Sequence, residues 1–166
     1  MIVILMGAAG SGKTTVGQLL ARRLGWRFFD GDDFHSVNNR EKMRRGEPLS
    51  DEDRQPWLET LHELIRRCER EHENALLACS ALKQEYRDRL MAGVRAVRLV
   101  YLKGTADLLA RRLAARHGHF FDPALLRSQL DDLEEPSDAL VVDIAATPEQ
   151  IADAIVSGLR LLEAHD

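Results

Sequence analysis

Residues Gly7-Ala8-Ala9-Gly10-Ser11-Gly12-Lys13-Thr14 satisfy the pattern G-x-x-x-x-G-K-[ST]. Glycines let a backbone fold around an anion so that successive N–H groups point inward. A helix starting at the end of the loop would add its positive end. Lys13 could then reach the β- and γ-phosphates, and the Thr14 hydroxyl could ligate Mg²⁺. The stretch Gly7–Thr15 therefore predicts a site for a nucleoside triphosphate with Mg²⁺. A second group of chemically capable residues is Asp30-Gly31-Asp32-Asp33. One carboxylate there could help hold hydrated Mg²⁺, and another could orient a substrate hydroxyl for in-line attack. The alternative is an acidic turn in which Asp serves as a cap. No N-K-x-D guanine reader is present, and the third apolar stretch, Ala75–Cys79, ends in Ser80 where motor and transporter ATPases carry an acid. The arrangement suits a small-molecule kinase.

Cations set against local electrostatic preference point the same way. Arg54 is expected at the start of a Pro56–Cys68 helix, opposing its macrodipole. Lys83 and Arg87 stand four apart on one predicted helix, as do Arg112 and Arg116, an unfavourable spacing for like charges. All follow expected strand ends or face the expected crevice, which favours anion binding. The mixed run Arg66, Arg67, Glu69, Arg70 and Glu71 reads as a solvated face, and His117-Gly118-His119 is too short for a metal site.

These residues need elements to hold them. Short apolar runs at Ile2–Met6, Trp26–Asp30, Ala75–Ser80, Val97–Leu102 and Ala139–Asp143 read as strands. Helical spacing lies between them, in Val16–Leu24 and in the stripe Trp57, Leu58, Leu61, Leu64, Ile65, Cys68. Strands apolar throughout and separated by helices imply a parallel sheet covered on both faces. The expected fold is α/β, a P-loop NTPase with a doubly wound five-stranded parallel sheet. Ligands in such sheets sit beyond the carboxyl ends of the strands. That directs attention to Gly7–Thr15, Asp30–His35, Ser80–Arg87, Leu102–Thr105 and Asp143–Pro148. The last is where adenine is expected.

At 166 residues, with 45% hydrophobic and 30% charged side chains, the chain suits one domain with a single core. A net charge of -4 argues against a general nucleic-acid or anionic-membrane binder, so a bound anion needs a local cluster of cations. No apolar run is long enough to span a bilayer. Met1–Leu5 lacks a basic flank and reads as a first strand instead of a secretory signal. Cys68 and Cys79 show neither metal nor C-x-x-C spacing, and the expected compartment is the cytoplasm.

Taken together, Gly7–Thr14, Asp30-Gly31-Asp32, His35, Asn39, Lys42-Met43, Gly46, Pro48-Leu49 and Asp51-x-Asp53-Arg54-x-Pro56-Trp57-Leu58 closely resemble the gluconokinases of the phosphate-loop type. The likeness continues through Cys79–Lys83, Tyr86-Arg87, Tyr101–Gly104, Arg112-Leu113, Arg116, His119–Phe121, Gln129, Leu133, Glu135-Pro136 and Val141–Asp143. It departs at Ser36, where proline is common, and at Asp33 beside the paired acids. The resemblance implies a fold like the nucleoside monophosphate kinases and shikimate kinase, and transfer from ATP to the 6-hydroxyl of D-gluconate with Mg²⁺. It also implies a homodimer and a lid near 116–136 within a single domain spanning 1–166.

On that footing Asp32 is expected to align the acceptor hydroxyl, while Asp30 holds Mg²⁺ through its bound water alongside Thr14. Lys13, Arg112 and Arg116 would neutralise the transferring group. Arg54 and Arg87 are the fork-shaped partners chosen for the sugar carboxylate, with His35 and Lys83 as further substrate contacts. Two other readings stay open: a shikimate kinase or another small-molecule kinase, and a nucleotide-binding regulatory protein without transfer activity.

Overall fold

Apolar runs bounded by polar turns become strands wherever both their faces can be covered. The computed structural model describes residues 1–116 and 122–161. His117, His119, Phe120 and Phe121 lie outside the described residues, and so do the readings made on them. Five strands, β1 (Ile2–Met6), β2 (Arg27–Asp30), β3 (Ala75–Ala78), β4 (Val97–Lys103) and β5 (Leu140–Asp143), form one sheet in the order β2-β3-β1-β4-β5. Every pairing is parallel, with Ile4 of β1 opposite Leu77 and Leu99. The helices are α1 (Lys13–Leu24), α2 (Val37–Arg44), α3 (Asp51–Arg70), α4 (Gln84–Met91), α5 (Ala106–Ala114), α6 (Pro123–Asp132) and α7 (Pro148–Leu159). This is the doubly wound α/β sheet expected from the sequence.

The alternation of β1 divides the core into two layers. Ile2, Ile4 and Met6 face α3 and α4, packing with Leu58, Leu61, Ile65 and Leu90. Val3 and Leu5 face the other way, among Val16 and Leu20 of α1, Leu109 and Leu113 of α5, and Ile151 and Ile155 of α7. Because all strands run in one direction, the loops after β1, β2, β3 and β5 gather along a single edge. No described helix is long and apolar enough to cross a membrane.

Helix starts depart from expectation more than strands do. The helix expected from Pro56 begins at Asp51, because Ser50 and Asp53 form a reciprocal capping box. The Asp53 N–H donates to Ser50 Oγ at 3.1 Å, and the Ser50 N–H donates to Asp53 Oδ2 at 3.0 Å. Pro56 lies inside the helix, and the carbonyl it leaves without an intrahelical donor, that of Glu52, belongs to an exposed residue. Arg54 therefore follows Asp51, Glu52 and Asp53, which complement the dipole it was expected to oppose. Lys83 is the N-cap of α4, one residue outside it, and Arg116 lies beyond the end of α5, so neither like-charged pair shares a helix.

A side chain at Gly31 would collide with backbone. Gly31 follows β2 so closely packed that an added Cβ would sit 2.7 Å from the Ala78 carbonyl oxygen. Its own carbonyl accepts the Trp57 indole N–H at 2.7 Å. Backbone meets backbone here, and neither side can swing away. Gly31→Ala is expected to cost about 1–3 kcal/mol in urea unfolding, the range of an overpacked core. An unchanged unfolding midpoint would refute this close fit.

Candidate active site

The loop after β1 is built around a helix that does not cap itself. Gly12, the N-cap of α1, has φ 90° and no side-chain cap, and the first turn of α1 contains no acid. Left-handed φ at this position favours glycine. The positive end of α1 is thus left for an external anion. Lys13 Nζ donates to the carbonyls of Gly7 at 2.9 Å and Ala8 at 3.1 Å. Burial pulls its ammonium below the ordinary lysine range, and the charge of Asp32 opposes that pull.

Asp30, at the end of β2, reaches this loop. The Thr14 hydroxyl donates to Asp30 Oδ2 at 3.4 Å, while Asp30 Oδ1 accepts the Asp32 N–H at 3.0 Å. Two hard oxygen donors beside a phosphate cradle match what Mg²⁺ takes from protein, since it keeps most of its water and its phosphate ligands. Asp32 stands on a short 3₁₀ turn, Gly31–Phe34, with its side chain 76% exposed. The surrounding cleft walls, then the charge of Asp30, push its carboxyl above the usual range, while Lys13 pulls it back. The Cys79 thiol is pushed up to about 12 by burial, so it lines the cleft as a neutral group.

One cleft of about 300 Å³ brings together Lys13, Thr14, Asp30, Asp32, His35, Arg54 and Arg116. Arg54 donates to the Tyr86 hydroxyl at 3.1 Å, and that hydroxyl in turn donates to Asp51. One edge of the guanidinium is anchored, and its other N–H groups remain for the cleft. Lys83 does not line the cleft. Its ammonium lies 3.3 Å from Asp51 Oδ1 and serves the support of Arg54. Hydrogen bonds from Tyr86, then Lys83, hold the Asp51 carboxyl below the ordinary range.

Arg87 is a correction. It is 1% exposed, and its guanidinium donates to the carbonyls of Ala81, Leu82 and Glu134 and to Gln84 Oε1. These bonds tie the loop after β3 to the segment after α6 and leave no fork for a substrate. Arg112 and Arg116 flank a second hollow with Gly10, Gly12, Thr15 and Pro148, on the outer side of the phosphate loop. Arg112 is braced there by the Ile144 carbonyl. Pro148 thus joins the region where a nucleotide base was expected.

Several lining residues escaped sequence reasoning as site groups. Met43, Glu47, Pro48 and Leu49 form one wall, and Leu125, Ser128, Gln129 and Asp132 of α6 form another. Gln129 Oε1 accepts the Ala9 N–H at 2.7 Å across 120 residues of sequence. No local spacing signals such a contact. Trp57 carried only a core signal, yet its indole stacks on the His35 ring at 4.3 Å.

The Shikimate kinase family model matches residues 9–160. A Xenopus tropicalis protein named "Probable gluconokinase" is 45% identical over 82% of this chain and 80% of its own. The "Thermoresistant gluconokinase" of Escherichia coli (strain K12) is 42% identical over 96% of this chain and 93% of its own. Among solved structures, a gluconokinase from Sinorhizobium meliloti 1021 aligns with a TM-score of 0.86 at 38% identity, covering 96% of this chain and 91% of that one.

Two consequences are measurable. Arg87→Met strands three carbonyls, and about 2–4 kcal/mol of stability should be lost while the acceptor KM moves less than about twofold. A large rise in that KM without loss of stability would return Arg87 to the site. Burial, then Arg54 and Arg40, pull the His35 imidazole pKa down to about 4 from 6.5. The unfolded chain accepts a proton that the folded ring refuses, so stability should fall as pH drops from about 6.5 towards 4. Urea midpoints should decline less steeply over that window in His35→Gln, and equal slopes would contradict the buried neutral ring.

Proposed function

The chain belongs to the gluconokinase family, among the shikimate-kinase-like phosphate-loop kinases, and from that membership we propose that it transfers the γ-phosphoryl group of ATP to the 6-hydroxyl of D-gluconate. The observation that carries the reading is the meeting, in one cleft, of the Lys13 loop, the Asp32 carboxylate and the anchored Arg54 fork. A neutral polyol kinase has no use for a guanidinium held in that way.

The amides of Gly7–Thr15 and the end of α1 hold the triphosphate, with Lys13 following the charge that spreads over the transferring oxygens. Thr14 and, through water, Asp30 would hold Mg²⁺, which would supply further charge neutralisation. Asp32 accepts the hydrogen bond of the 6-hydroxyl and aligns it with phosphorus. As the O6–Pγ bond forms and the bond from Pγ to the ADP oxygen breaks, the hydroxyl proton passes to Asp32. Because this transition state is loose, alignment contributes more than early deprotonation. Arg54 takes the sugar carboxylate, and His35 contacts a hydroxyl. Arg112 and Arg116 add charge from the outer side of the loop.

Residues 116–136 act as a lid that excludes water, an idea supported by the Gln129 contact to Ala9. The reading extends to a homodimer and to a cytoplasmic setting, which two free, buried cysteines suit.

ADP release measured with gluconate, shikimate, gluconolactone and sorbitol tests the acceptor. Gluconate should be strongly preferred, and equal turnover of sorbitol would refute the carboxylate clamp. In Arg54→Ala, kcat/KM for gluconate should fall roughly 10- to 150-fold, the worth of one charge-assisted hydrogen bond. Unchanged gluconate kinetics in that variant would remove Arg54 from the site.

A further inference from the structure

His35 is among the few polar residues in the core, and its two ring nitrogens face different worlds. Nδ1 lies 3.4 Å from the side-chain nitrogen of Asn39. Nε2 lies on the cleft side, 3.9 Å from Asp32 Oδ1. The identity of the Asn39 atom is settled by its other partner. The same nitrogen donates to the Asp53 backbone carbonyl at 2.8 Å, and a carbonyl can only accept. Asn39 itself is 4% exposed, and turning its side-chain amide over would set the amide oxygen against the Asp53 carbonyl oxygen, two acceptors face to face. A protonated Nδ1 would point its hydrogen at an NH₂ group. The ring avoids that clash by carrying its proton on Nε2.

We propose that Asn39 is a positioning residue that fixes the Nε2–H tautomer of His35, so that the ring donates a hydrogen bond to the oxygen of the acceptor hydroxyl whose proton Asp32 receives. The Trp57 indole stacked on the imidazole keeps its plane fixed, and the neutral state described above leaves Nδ1 as an acceptor. An oxygen at about 2.8 Å from both Nε2 and Asp32 Oδ1 would see them about 90° apart, close to the directions in which a hydroxyl accepts and donates. Donor and acceptor duties are thereby divided between two side chains, and the remaining lone pair is left for phosphorus. With the opposite tautomer, an imidazole lone pair and a carboxylate would compete for one proton. This inference rests on the proposed role of Asp32, but the tautomer can be read without any acceptor.

Imidazole ¹⁵N–¹H correlation spectra of the whole protein, with His35 assigned by comparison with His35→Gln, report the tautomer directly. The expected wild-type pattern is a protonated Nε2 and an unprotonated Nδ1, and a protonated Nδ1 overturns the proposal. The isosteric Asn39→Asp replaces the donor by an acceptor. Its spectrum should move the proton to Nδ1, with kcat falling about 3- to 10-fold, the worth of one neutral hydrogen bond, and KM for ATP unchanged. Asn39→Ala, which cannot donate, should show mixed tautomers and a smaller loss. An Nε2–H pattern retained in both variants, or a shifted pattern with wild-type kcat, overturns the assignment. If gluconate proved not to be the acceptor, the tautomer result would still stand, so the two failures are distinguishable.

Discussion

The rest of the structure depends on one helix end that is left uncompensated. Among the described helices, α1 alone has neither a side-chain cap nor an acid in its first turn. By contrast, Ser36, Ser50, Thr105, Asp122 and Thr147 each accept a backbone N–H at the start of their own helix. Capping of that kind is worth about 1 kcal/mol per helix. At α1 the chain forgoes it and sets Lys13 there, adding positive charge to a positive end. An anion at this end gains the N–H groups and the positive charge that the other helices spend on their own caps.

The acids opposite this loop follow the same logic with the sign reversed. Asp32 is held above its usual pKa by its surroundings and by Asp30, and Lys13 below its own by burial. Each group eases the strain on the other. Gly31 makes the juxtaposition possible, because only a residue without a Cβ lets the turn lie against the Ala78 carbonyl.

What could be read in the sequence was what short spacing controls. The phosphate loop, the five strands and the Asp-Gly-Asp turn depend on neighbours within a few residues, and all sit where they were expected, with strand edges shifted by a residue or two. The start of α3 misled because Pro56 is a strong local punctuator, whereas the Ser50–Asp53 box that overrides it is a reciprocal pair. Arg87 was illegible for a different reason. In sequence it looks like any cation after a strand, and its fate is decided by the Glu134 carbonyl, 47 residues away. The Gln129 contact and the wall from Met43 to Leu49 likewise depend on how distant segments dock. Arg54, four residues after a helix cap, owes its orientation to Tyr86, which spacing alone could not supply.

The first turns of α3 tie the acid turn, the His35 ring and Arg54 into one unit. Arg54 and Trp57 are three residues apart on that helix and therefore share a face. Trp57 fixes the acid turn through the Gly31 carbonyl and the imidazole plane through stacking, while Arg54, anchored on Tyr86, is the cation proposed for the carboxylate of the acceptor. Asp53, the residue before Arg54, lends its carbonyl to Asn39 and its carboxylate to Lys42, binding α2 to the same unit. On the proposed assignment, the spacing between the acid turn and Arg54 is set by one helix, whose buried stripe of Leu58, Leu61 and Ile65 anchors it to the sheet. If Arg54 and Asp32 hold the two ends as proposed, an acceptor too short to span them would meet only one, and its hydroxyl would not be held in line with the phosphate loop.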